Sequence, residues 1–96
     1  MKNRTCDLAR PNVTISLNGS GKPRLTWEPI DGATRYEVYR ATSKDGTYKQ
    51  VYSTTDTMMN NTSALSKKTY YYKVRAIHSN TSAYSAYSVI DEITTR

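Results

Sequence analysis

His78 and Cys6 are each the only residue of their type in this 96-residue chain, so the side chains best suited to proton transfer, metal ligation and thiol chemistry occur once apiece. A hydrolytic triad needs a base oriented by a carboxylate beside its nucleophile. The serines here have one imidazole to call on, at the end of a strand-like run near Asn80, where a solvent-facing loop residue is the expected role. Metal sites of ordinary spacing draw three or four ligands from His, Cys and carboxylates, and one His with one Cys does not supply such a set. Cys6 has no partner for an internal disulfide and, lying ahead of the first strand pattern, reads as an exposed free thiol. The run Asn18-Gly19-Ser20-Gly21 stands between two strand patterns, whereas phosphate-binding glycine loops lead into a helix. No Arg-Gly-Asp triplet is present. The expectation is a chain that is not an enzyme, with no cofactor and no metal.

The chemical capacity that remains lies in tyrosines and cations. Nine tyrosines and Trp27 replace the missing phenylalanine as bulky packing groups, and tyrosine carries a polar tip that suits half-buried positions. A net charge of +6 and a pI near 9.6 invite a polyanion partner. Along the sequence, however, the lysines and arginines fall on nearly every strand and turn, the pattern of solvated faces and guarded sheet edges. No nucleic-acid partner is expected. No run approaches the roughly 18 apolar residues of a membrane span, so no membrane insertion is expected either.

The elements that position these groups follow from alternation. Tyr70-Tyr71-Tyr72-Lys73-Val74-Arg75-Ala76 alternates apolar residues with cations at a period of two, which is a half-buried strand with Tyr70, Tyr72, Val74 and Ala76 inward. Val13 to Leu17, Leu25 to Trp27, Tyr36 to Arg40 and Tyr48 to Tyr52 are further strands. Asp45-Gly46 joins the last two as a hairpin. Thr54 to Ser63 offers Met58 and Met59 for burial on a short edge strand, and Ser85 to Thr94 supplies a final strand whose clash in periodicity a break near Asp91 would resolve. Seven short strands with turns every eight to twelve residues, and no helical stripe, indicate an all-β, seven-stranded antiparallel immunoglobulin-like sandwich. Residues 1–10 read as a linker or added residues and residues 11–96 as the domain.

Several pieces resemble the fibronectin type III domains of bacterial extracellular proteins: Leu25-Thr26-Trp27 before Pro29-Ile30-Asp31-Gly32-Ala33, Tyr36-Glu37-Val38-Tyr39-Arg40 with Asp45-Gly46 and Tyr48, and Leu65 with the Tyr70 run. The resemblance spans Pro11 to about Thr94. It implies a core built on Trp27, Tyr36, Val38, Tyr70, Tyr72 and Val74. It also makes Tyr70 a tyrosine-corner residue whose phenol is expected to donate to the backbone of the Leu65 loop, although that loop lacks the family's usual proline and glycine.

Tyr84-Ser85-Ala86-Tyr87-Ser88 is similar to the Trp-Ser-x-Trp-Ser box of cytokine-receptor type III domains, with tyrosine for tryptophan; the cysteine pairs of those receptors are absent. The likeness implies a cation–π ladder in which Lys73 and Arg75 interleave with Tyr84 and Tyr87. An i to i+3 spacing in an extended left-handed segment would bring both rings to one face. Exposed tyrosines such as Tyr39, Tyr52 and Tyr71 would suit sugar stacking. Each asparagine lies in an Asn-x-Ser/Thr context, so glycosylation is a minority alternative that the frequency of serine and threonine makes unspecific.

The expected function is a non-catalytic spacer and protein-interaction or adhesion module of a larger secreted or cell-surface protein. It would be a monomer in isolation, with neighbouring domains as first partners and another surface protein or a glycan as further ones. The alternative is a glycan-binding accessory module of a carbohydrate-active enzyme. No secretion signal is recognisable at the start, as expected of a piece of a longer exported chain. Asn3-Arg4-Thr5 and Thr94-Thr95-Arg96 are similar enough to hint at a linker shared by tandem copies.

Overall fold

A computed structural model describes residues 6–78 and 83–96, apart from the side chains of Cys6, Asp7 and Ala83. The leading Asn3-Arg4-Thr5 and the acceptor positions Asn3 and Asn80 lie outside the described residues. Among the described residues the chain forms nine strand segments: β1 (Cys6–Leu8), β2 (Thr14–Leu17), β3 (Pro23–Thr26), β4 (Arg35–Ala41), β5 (Lys49–Thr54), β6 (Met58–Asn60), β7 (Thr69–His78), β8 (Ala83–Ser85) and β9 (Asp91–Thr94). They make two sheets, β2-β3-β6 and β1-β8-β7-β4-β5, with β9 also paired to β7. All pairings are antiparallel except that of β1 with β8.

The alternation of β7 sets the two sides of the larger sheet: Tyr70, Tyr72, Val74 and Ala76 are buried while Tyr71, Lys73 and Arg75 stand half-buried on the outer face. Against them pack Leu25 and Met59 of the smaller sheet, with Trp27, Tyr36, Val38 and Ala64 completing the core. Trp27 meets Tyr36 edge to face at 5.5 Å between centroids, a favoured aromatic geometry. The Tyr36 phenol accepts the Ile30 N–H at 3.0 Å, so a core ring also ties down the turn that follows β3. The Trp27 indole Nε1 is buried without a hydrogen-bond partner among the described residues.

The β4–β5 hairpin forms around Asp45-Gly46 with a register shift between Val38 and Tyr39. A side chain at position 46 would bring its Cβ against the Ser43 hydroxyl, which would have to rotate to admit it.

Three expectations need correction. Leu8 packs on the core, and β1 pairs with Tyr84 and Ser85; residues 6–8 are therefore part of the sandwich, hidden from pattern reading because three residues with one packed leucine carry no period. The final strand is split into β8 and β9 by an interruption at residues 86–90, the break expected near Asp91. Met59 is buried but Met58 is exposed, because neighbours on a strand point to opposite faces. The Tyr70 phenol accepts the Leu65 N–H at 2.9 Å instead of donating. In that loop Lys67 holds the left-handed conformation (φ 54°) that glycine adopts most readily, and the buried Thr95 hydroxyl bonds the Leu65 carbonyl and accepts the Lys68 N–H.

Candidate functional site

The outer face of β7 and its neighbours is the part of the molecule where charged and aromatic groups converge. Lys73 and Arg75 point outward by alternation, and the β4 register sets Glu37 opposite Arg75 and Tyr39 opposite Lys73. Lys73 Nζ sits 3.9 Å from the Tyr87 ring centroid and 4.5 Å from that of Tyr48. The Arg75 guanidinium lies 5.3 Å from Tyr87, 5.5 Å from Tyr84 and 5.7 Å from Tyr39. Tyr39 adds an edge-to-face contact to Tyr87 at 5.3 Å. Ring and cation thus alternate in the order Tyr48, Lys73, Tyr87, Arg75, Tyr84.

One acid anchors the stack. Arg75 Nε donates to Glu37 at 3.0 Å, with side chains 26% and 13% exposed, so the pair is partly shielded from solvent. The Tyr39 hydroxyl donates to the same carboxylate at 3.0 Å. Burial, together with that hydrogen bond, pushes the Tyr39 phenol up to about 12. For Arg75, burial opposes the charge, but the Glu37 hydrogen bond and the neighbouring tyrosines outweigh it and hold its pKa above the ordinary value. Burial, with help from Asp45, also raises the Tyr48 phenol.

The segment that carries Tyr84 and Tyr87 is held by its serines. Ser85 and Ser88, both buried, turn toward β7: the Ser85 hydroxyl accepts the Ala76 N–H at 2.8 Å and that of Ser88 accepts the Val74 N–H at 2.9 Å. Their side chains supply bonds that a strand backbone would otherwise make. This is why the chain can leave the ladder between β8 and β9 without orphaning buried amides. The three-residue spacing therefore serves twice, with serines inward on β7 and tyrosines outward around Arg75.

A second cluster closes one end of the core. Asn61 is buried, accepts from Tyr72 at 2.6 Å and from Arg40 at 2.9 Å, and donates to Ser63 at 3.1 Å. Arg40 also lies 4.7 Å from the Tyr70 ring centroid. Burial is the main cause that pushes the Tyr72 phenol up to about 12, with Arg40 pulling the other way. Asn61, one of the acceptor-context asparagines, is thus committed to the interior.

Pattern reading named Lys73, Arg75, Tyr84 and Tyr87, and the structure brings them together; it did not name Glu37, Tyr39 or Tyr48 as their partners. The outward alternation of Glu37 and Tyr39 was an available signal, but which outer residues face one another depends on strand order. His78 is half-buried with no partner for Nδ1 among the described residues, and no group of three His, Cys, Asp or Glu side chains among them is arranged to hold a metal. A cleft of about 390 Å³ lies between Arg10, Pro11, Asn12 and Val13 on one side and Val89 and Asp91 on the other. Burial raises the Asp91 carboxyl there.

No family model matches the chain. Amylopullulanase of Thermoanaerobacterium saccharolyticum is 31% identical over 96 residues, which is 86% of this chain and 8% of that protein. Amylopullulanase of Thermoanaerobacterium thermosulfurigenes is 32% identical over 68 residues, 70% of this chain and 4% of that protein. The chain thus spans a small fraction of the curated relatives it matches. Among solved structures, an Fn3-like protein from Clostridium thermocellum superimposes with a TM-score of 0.75 at 28% identity, covering 85% of this chain and 86% of that one. The protein FN3tt gives a TM-score of 0.75 at 26% identity, covering 92% and 94%. A fibronectin type III domain from the human KIAA0970 protein matches in fold with a TM-score of 0.74 at 24% identity, covering 88% and 72%. Two antiparallel-paired sheets around Trp27, the interrupted last strand and these likenesses agree: the chain is a fibronectin type III domain.

Proposed function

We propose that this domain is a non-catalytic accessory module of a secreted, carbohydrate-active enzyme of the amylopullulanase kind, where it spaces and docks neighbouring domains. The observation that supports this most directly is the kinship of most of the chain with a short stretch of much larger amylopullulanases. The stack supports the spacer role over a sugar-stacking one, because a ring face covered by a cation is not free for a sugar. Tyr48, Tyr84 and Tyr87 are all engaged in this way. Tyr52, 44% exposed on β5, is the observation that favours direct glycan binding.

Affinity electrophoresis of the domain through gels with and without pullulan separates the two roles. Unchanged mobility, together with no release of reducing sugar, is the expected result. Retardation abolished by Tyr52→Ala would replace the spacer reading with a glycan-binding one, and pullulan hydrolysis by the isolated chain would overturn both.

A further inference from the structure

The cations that are scattered along the sequence do not all stay scattered in space. The turn at residues 18–22, the loop at residues 61–68 and the segment 94–96 meet at one end of the sandwich. The Arg96 N–H donates to Gly21 O, the Lys67 N–H to Arg96 O and the Thr95 N–H to Lys68 O. Lys22, Lys67, Lys68 and Arg96 are thereby gathered from three segments that contain no aspartate or glutamate.

Two of the four are held by neutral carbonyls: Lys22 Nζ donates to Ala64 O at 2.6 Å and the Arg96 guanidinium to Asn18 O at 2.8 Å. Carbonyls fix the position of a cation without cancelling its charge. Lys67 and Lys68 are exposed beside them. Elsewhere the one ion pair among the described residues, Arg75 with Glu37, does cancel charge, so this end differs in kind from the tyrosine stack.

We infer that this end of the domain binds an anionic polysaccharide, a glycan bearing sulfate or carboxylate groups. A second copy of the chain fits less well, because its net charge of +6 repels its like. A single-stranded nucleic acid fits less well because none of the three segments carries an aromatic residue on which bases could stack.

Heparin is the probe, titrated against the whole chain at about 50 mM and about 200 mM salt. Four neutralised charges on a flexible polyanion give a log–log salt slope of about −3, so affinity should fall roughly fifty-fold between those conditions. Lys67→Glu with Lys68→Glu should weaken binding at least ten-fold at the lower salt. Arg10→Glu with Arg35→Glu carries the same net charge on residues outside these segments and should weaken it less than three-fold. Arg96→Gln, which removes one charge, gives a second measure should the paired reversal disturb folding, and thermal unfolding of each variant reports that. Equal losses from both charge reversals would show that net charge acts and not this end, and would overturn the proposal. Tighter binding of a single-stranded DNA 20-mer than of heparin at equal salt would also overturn it.

Discussion

Replacing Arg75 by alanine removes the group that joins Glu37 to the Tyr39, Tyr84 and Tyr87 rings. Glu37, with its side chain 13% exposed, loses its ion-pair partner but keeps the Tyr39 hydroxyl as a donor. Its stranding penalty therefore falls in the lower part of the roughly 1 to 3 kcal/mol range for an unsatisfied buried group. Contacts to the Tyr84, Tyr87 and Tyr39 rings lie at 5.3 to 5.7 Å, the outer part of the cation–π range, and each contributes about 0.5 kcal/mol at such partly exposed sites. The expected loss is about 2 to 3 kcal/mol, against a few tenths for an ordinary exposed arginine. Urea unfolding of Arg75→Ala, Tyr87→Ala and the double variant isolates the direct term, since packing on other neighbours cancels in the cycle. A coupling of about 0.5 to 1 kcal/mol is expected, with a larger one for Arg75 and Glu37 in a parallel cycle. A Tyr87 coupling within error of zero refutes the stack as an energetic unit, whatever the distances.

Trp27→Ala should lower stability by about 3 to 5 kcal/mol, because the indole fills the centre of a small core; a loss under about 1 kcal/mol in denaturant titration would contradict the packing described. Ser85→Ala and Ser88→Ala should each cost about 1 to 3 kcal/mol by stranding the buried amides of Ala76 and Val74, and faster amide exchange at those two residues locates the effect. Burial pushes the Tyr39 and Tyr72 phenols up to about 12 from the ordinary value of 10.0, so the neutral phenol is favoured by folding. Their contribution is complete below about pH 10 and lost as pH climbs toward about 12, so the urea midpoint should fall across that window and fall less in Tyr72→Phe.

Much of this was legible from period and turn chemistry. The inward side of β7 followed from two-residue alternation, and the hairpin at Gly46 from Asp-Gly. What was not legible depended on which segments meet. β1 is too short to show a period, and its place beside β8 comes from a tertiary contact of Leu8 with the core. The break in the last strand was expected from its clash in periodicity, but the role of Ser85 and Ser88 in bonding the β7 amides across it was not, because their three-residue spacing was read only for the tyrosines. The gathering of Lys22, Lys67, Lys68 and Arg96 was invisible because charge dispersion along a chain says nothing about dispersion in space once turns from different hairpins share one end of a sandwich. The tyrosine corner shows a subtler limit: a residue type can be placed correctly while its donor is misassigned, since a phenol oxygen serves as either partner.

The two polar constructions also bear on which parts of the surface are free to act. In the outer stack every charge has a partner: Glu37 compensates Arg75, and Lys73 lies between the Tyr48 and Tyr87 rings. Such a surface gains rigidity and gives up binding capacity, because a ligand would first have to displace contacts already made. At the end that gathers Lys22 and Arg96 the reverse holds, since carbonyl oxygens position the cations and leave their charge uncompensated. The proposed spacer role and the inferred anion binding thus draw on separate surfaces of the domain. Mutations in the stack should therefore alter stability with little effect on anion binding, and charge reversals at the basic end should do the opposite.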